Sequence, residues 1–215
     1  MGRQEVTRLL ARNVLGTQGV NVSQTDQVPP STPELHEIVV AVILGALKND
    51  HGIHAETAIA TAAALTGECV LRASGIELGQ YEPGAIITSD TVNQILFEAD
   101  GQLTVSDFFM NALFSQGIDV REESWPKSIP DEHQVMMDPL EVIATIRPQI
   151  EKLFMQNRIE RLERAYLGAQ ATAYLVSQTR RVIDPNIGKA LALEAMLRGA
   201  KYVPLPSIGE PANSN

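Results

Sequence analysis

The segment His51-Gly52-Ile53-His54-Ala55-Glu56 places two imidazoles and a carboxylate within six residues. These are ligand types of a zinc or related metal centre, and a metal held there would support hydrolysis by activating water. His51, His54 and Glu56 are therefore a candidate metal set. Helical spacing argues that the segment is incomplete as a site by itself. Residues three and four apart share a helix face. Those beyond His54 are Thr57 and Ala58, and those beyond Glu56 are Ile59 and Ala60. No second ligand stands one turn on, as it does in an H-E-x-x-H pattern. Further ligands would have to come from distant groups such as His36, His133 or Asp131. The simpler expectation is that His51-Gly52 closes one helix, while His54 and Glu56 cap and charge the first turn of the next.

A second polar group, Asp131-Glu132-His133, lies between Gly117 and Met137, a stretch that also carries Trp125-Pro126 and Ile129-Pro130. The stretch reads as a loop long enough to be unusual in a compact domain. With Trp125 as an apolar anchor, Asp131, Glu132 and His133 form a candidate binding loop. Cys69 sits in an alanine-rich helical stretch with no histidine close in sequence, the setting of a small buried hydrophobe rather than a nucleophile. Glu68 and Arg72, four apart, can pair beside it. The sequence has no G-x-S-x-G elbow, P-loop, G-x-G-x-x-G fingerprint or C-x-x-C pair, so no cofactor is expected.

Helices must position these groups. Thr32-Pro33-Glu34, Asp138-Pro139 and Asp184-Pro185 each set a capping side chain before a proline that has no amide to leave unpaired. The first predicts a helix from Pro33 to about Lys48, with Leu35, Ile38, Val39, Val42, Ile43 and Ala46 facing inward. Further helices are expected from about Ala55 to Ala73, from Asp90 to Glu98, and from Pro185 to about Arg198 before Gly199. Thr104-Val105-Ser106-Asp107 resembles a capping box opening Val105 to Gln116. Ile86 to Thr88 could be a short strand, but no convincing partner strand exists. The expected fold is all-α: one multi-helix bundle-like domain over residues 1–203, with a long C-terminal helix and extended loops. Residues 1–30 read as an N-terminal helix plus loop arm, and residues 204–215 as an extended or disordered tail.

Between Pro139 and Arg181, Pro148 either kinks a helix or begins one. Ile159, Leu162, Tyr166, Ala169, Ala173 and Val176 then recur at coiled-coil spacing. An unbroken helix from Pro148 to Arg181 would be about 51 Å long, against a diameter of roughly 45 Å for a compact chain of this size. Either it breaks, near Asn157 or Gly168, or a second subunit covers it. The six seam residues make homodimerisation the leading partner expectation, with an intrachain antiparallel neighbour as the alternative.

The 215 residues carry 17 basic and 26 acidic side chains, a net charge of −9. Residues 84–146 hold 2 basic and 11 acidic groups, and residues 147–215 hold 10 and 6. An acidic chain is not expected to bind nucleic acid, which needs a concentrated basic face. The basic C-terminal part is expected to pack near the acidic middle, or to present Arg158, Arg161 and Arg164 to an acidic partner. The longest apolar run, Ile38 to Leu47, has ten residues, where a membrane span needs about 20. Met1 to Leu15, with Arg3, Arg8 and Arg12, lacks the apolar core of a signal peptide. Together these features predict a soluble, cytoplasmic, non-enzymatic binding module acting as a homo-oligomer, whose ligand is another protein or a small apolar molecule. The competing expectation is a metal-assisted hydrolase built around His51, His54 and Glu56.

Overall fold

The computed structural model describes residues 34–98, 103–121 and 128–208. The expected N-terminal arm through residue 30, Trp125 of the candidate loop, and residues 209–215 of the expected tail lie outside the described residues. Among the described residues the fold is all-α, with seven helices: α1 (Leu35–Leu47), α2 (Ala55–Ala73), α3 (Asp90–Phe97), α4 (Val105–Ser115), α5 (Pro139–Gln156), α6 (Arg161–Thr179) and α7 (Pro185–Lys201).

The sequence writes α2 almost to the residue. His54 caps it, its side chain accepting from Thr57 N–H, and every residue from Ala55 to Leu71 is buried. An α-helix hydrophobic or small on all sides belongs at the centre of a bundle. Accordingly α2 packs against α7 and α6 most extensively and against α5, α1 and α3 as well. Small residues set its distance from α7. A Cβ at Gly67 would overlap Met196 O, and one at Gly199 would overlap Ala64 O. Gly199 therefore does not end α7, as its place in the sequence suggested. It lies inside the helix, where the backbone of α2 leaves no room for a side chain.

Elsewhere the local signals hold with small shifts. Asp138 and Asp184 cap α5 and α7 ahead of their prolines, accepting from Leu140 N–H and Asn186 N–H. Thr104 and Asp107 make the capping box that opens α4. The expected Thr32-Pro33 start lies outside the described residues; α1 begins at Leu35 with Glu34 as its cap residue, and the Glu34 N–H donates to Glu37 Oε2 (3.1 Å). Its buried face is His36, Val39, Val40, Ile43, Leu44 and Leu47, rotated from the expected stripe. The helix is apolar nearly all round, so periodicity underdetermines its face. The choice falls to packing on α6, where His36 stands edge-on to Tyr174 at 5.3 Å. Ile86 does find a partner, pairing with Tyr202 beyond α7. Ile87 N–H donates to Lys201 O (2.7 Å), and Val203 N–H donates to Ala85 O (2.8 Å).

The long helix breaks at Asn157, and Pro148 stays inside α5. Arg158 takes a left-handed conformation with φ of 55°. Arg158 N–H then bonds Met155 O, and Ile159 N–H bonds Phe154 O, the pair of reversed bonds that closes a Schellman end. Each half is about 28 Å long or less, so no overhang remains for a second subunit to cover. The expected dimer seam divides with it. Ala169, Ala173 and Val176 are buried in the chain's own core, where α6 packs on α2, α4 and α1, so they are closed to a second copy. Ile159, Leu162 and Tyr166 lie further out. The acidic middle meets the basic C-terminal helices where Arg198 Nη2 reaches Asp138 Oδ2 at 2.7 Å.

Candidate functional site

Two glutamates of the buried helix α2 carry charge into the core, one at each end. Glu56 stands in the first turn and is 6% exposed; Glu68 stands near the last turn and is 4% exposed. Each recruits a side chain from more than seventy positions away.

Around Glu56, the structure brings together His54, Glu56 and His133. His133 lies in the 3-10 turn Asp131–His133. Its Nδ1 is 2.9 Å from Glu56 Oε1, while His54 Nε2 is 3.2 Å from Glu56 Oε2. Thr57 completes the cluster. Its N–H donates to His54 Nδ1 (3.3 Å) and its hydroxyl lies 2.9 Å from the same nitrogen. With Nδ1 accepting, the His54 proton belongs on Nε2, toward the carboxylate. The Thr57 hydroxyl oxygen in turn accepts from Met136 N–H (3.0 Å). The result is a network that fastens residues 131–136 to the start of α2, where the helix dipole favours the Glu56 carboxylate.

This is not the expected metal set. His51 is exposed at the tip of a turn closed by Asn49 and Gly52, its N–H bonded to Asn49 Oδ1 (2.8 Å), and it does not join His54 and Glu56. Among the described residues no group of three His, Cys, Asp or Glu is placed to hold a metal ion. The other loop candidates, Asp131 and Glu132, are exposed. Of the loop's named polar residues, His133 is the one drawn into the cluster.

Around Glu68 the partners are guanidiniums. Arg147 of α5, itself 7% exposed, makes a two-pronged contact, Nε to Oε1 at 2.8 Å and Nη2 to Oε2 at 2.9 Å. Its Nη1 donates to Leu205 O (2.6 Å) and to Ser207 Oγ (3.2 Å). One guanidinium thereby ties α2, α5 and the C-terminal segment together. Arg72 adds a third bond, Nε to Glu68 Oε1 at 2.9 Å. Such a buried, doubly bridged ion pair is strong in geometry, and removing either member leaves a charge in the core.

Beyond this pair opens a cavity of about 780 Å³. Its walls are the end of α2, the Ile76–Pro83 connection, α5, the start of α6 and the Val203–Ser207 segment. Apolar side chains including Ile76, Leu78 and Leu205 alternate with Arg72, Arg147, Arg161, Arg164 and Glu151. Arg164 is positioned by Glu151 (Nη1 to Oε2, 2.9 Å), by Ile159 O (3.1 Å) and by the Phe154 ring 5.0 Å away. Cys69 touches the cavity, yet its thiol is held well above the ordinary cysteine range by burial first, then by the Glu68 and Glu151 charges. It is a protonated wall residue, not a nucleophile. Lys189, also buried, lies away from this cavity. Burial pulls its ammonium below the ordinary lysine range, and Asp119 and Asp184 oppose that shift.

The Glu68–Arg72 pair and the basic face of Arg158, Arg161 and Arg164 are legible in the sequence; the cavity that joins Arg72, Arg161 and Arg164, and leaves Arg158 off its wall, is not. The missing member was Arg147, which stands in a sequence context with no motif. Its one signal was an arginine among the apolar positions of a predicted helix, since a charged residue there is buried only with a partner. In sequence and in structure the chain matches no protein-family model, no curated protein and no solved structure, so its function rests on these side chains alone.

Proposed function

We propose that the protein is a non-enzymatic binding module, acting in the cytoplasm, whose ligand seat is the cavity between α2, α5, α6 and the C-terminal segment. The observation that carries this reading is the cavity itself. Its volume of about 780 Å³ falls within the range of small-molecule sites, and such sites combine apolar walls with a few fixed polar groups. Three of its four arginines are fixed before any ligand arrives, because Glu68 holds Arg147 and Arg72 and Glu151 holds Arg164. Preorganisation of this kind lowers the ordering cost of binding. The His54–Glu56–His133 cluster fits the reading as a fastening, since Glu56 and Thr57 tie the 131–136 loop to the start of α2.

The test uses a probe with an aromatic body, 1-anilinonaphthalene-8-sulfonate, and a variant that blocks the seat. A Cβ at Gly79, one of the cavity-lining residues, meets nothing within 4 Å, so Gly79→Trp sets an indole at the cavity rim without a clash at its Cβ. The native protein is expected to bind the probe saturably at one site, and Gly79→Trp to abolish that binding at unchanged thermal stability. Absence of saturable binding to the native protein removes the cavity as a ligand seat.

Self-association is proposed through the outer remnant of the seam. Tyr166 packs on Phe108 with ring centres 5.1 Å apart, and its hydroxyl donates to Leu103 O (2.8 Å). Beside it Leu103 is 49% and Leu162 is 40% exposed, a pair of apolar side chains left in water. Sedimentation equilibrium is expected to give a dimer that Leu162→Asp dissociates; a monomer at tens of micromolar sinks the idea.

A further inference from the structure

We infer that the ligand is a small organic anion, an apolar body ending in a carboxylate or phosphate, and that Arg72 and Arg161 receive the anionic group. This rests on the cavity being the ligand seat and adds the chemistry of what it takes. The charges on and behind the cavity wall pair off unequally. Arg147 is spent on Glu68, whose two carboxylate oxygens lie 2.8 and 2.9 Å from its nitrogens. Arg164 is spent on Glu151. Arg72 and Arg161 remain without a carboxylate of their own. Arg72 shares Glu68 through Nε alone, and its two terminal nitrogens make no bond among the described residues. Arg161 is exposed and has no hydrogen bond or ion pair among the described residues. The other acids of the nearby connection, Glu77 and Glu82, are not on the wall. The chain carries a net charge of −9, yet this one recess holds a local excess of two positive charges. Guanidiniums present planar, forked donors suited to carboxylate and phosphate, and a recess with low-dielectric walls concentrates their field on whatever enters. Ile76, Leu78 and Leu205 supply the surface for the apolar body, which a free inorganic ion would leave uncovered.

Calorimetric titration of the full chain with four matched probes tests this: octanoate, octyl phosphate, octanol and octylammonium. Both anions are expected to bind at least ten-fold more tightly than octanol, with octylammonium weakest. Arg161→Glu is expected to weaken the anions at least ten-fold, to leave octanol within two-fold, and to leave thermal unfolding unchanged, because Arg161 holds nothing else in place. Octyl phosphate binding more tightly than octanoate would assign a phosphate ligand, and the reverse order a carboxylate. Octanol binding as tightly as octanoate overturns the anion inference and leaves the cavity as a seat for neutral ligands. Failure of all four probes to bind, together with loss of the naphthalene sulfonate signal, overturns both.

Discussion

The two ends of α2 solve the same problem differently. Each buries a glutamate, and each ties it to a residue 77 or 79 positions away. At the first turn the helix dipole already favours a carboxylate, and imidazoles are sufficient partners for Glu56. Near the other end Glu68 lacks that help, and two guanidiniums gather on it. The outcomes diverge accordingly. The histidine cluster pins residues 131–136 to the start of α2. The arginine cluster has more donors than its two glutamates can use, and the surplus lines a cavity. Burying a charge costs several kcal/mol unless it is paired. Whether the pairing is merely sufficient or exceeds need separates the two ends of α2.

Removing Glu68 is the change with the largest expected effect. Glu68→Gln leaves Arg147 buried with half of its two-pronged partner lost, and is expected to cost about 3 kcal/mol or more, a large share of the roughly 5–15 kcal/mol that holds a domain folded. Urea unfolding measures it. The paired change Glu68→Met with Arg147→Met removes both charges together and is expected to recover at least half of that loss. A cost under about 1 kcal/mol for Glu68→Gln would mean that the ion pair is no more than a surface-like contact.

Removing His133 should matter less. His133→Ala leaves Glu56 with His54 and the helix N-terminus, so the expected cost is about 1–2 kcal/mol, that of a hydrogen bond with partial burial. The local effect is larger than the global one. Met136 N–H, bonded to the Thr57 hydroxyl, is expected to exchange with solvent deuterium at least ten-fold faster. A stability loss matching that of Glu68→Gln would erase the distinction between the two ends.

These two clusters were not equally legible in the sequence. His54 and Glu56 are legible as cap and first-turn charge because both act within one helical turn, and His133 is among the distant groups they could recruit. The bounds of α2 and the caps of α4, α5 and α7 were legible for the same reason: the chemistry is local. What stayed hidden depends on residues far apart in the chain. Val40 and Leu44, rather than Ile38 and Val42, turn inward because α6 decides the face of a helix that is apolar all round. Gly199 looked like a helix end because glycine often is one, and only the approach of Ala64 shows why no side chain fits. Three of the seam residues, Ala169, Ala173 and Val176, had the right period for a partner helix, but the period does not say whose helix. Arg147 gave the weakest signal of all, and it organises the cavity.

The smallest effect on stability is expected at Cys69, which sits between the two themes. It adjoins Glu68 and touches the arginine-lined cavity, so an electropositive field there would favour the thiolate. The opposing influences are burial, the largest, followed by the Glu68 and Glu151 carboxylates; they outweigh Arg72 and Arg164 and keep the thiol protonated. Because only a thiolate attacks a disulfide reagent, an aromatic disulfide at pH 8 is expected to modify the native protein at least a thousand-fold more slowly than the urea-unfolded chain. Cys69→Ala is expected to cost about 1 kcal/mol or less and to leave octanoate affinity within two-fold. Rapid labelling of the native thiol would show that the arginines govern the field along this wall after all. The surplus of positive charge would then reach deeper than Arg72 and Arg161, and the contrast between the two ends of α2 would widen.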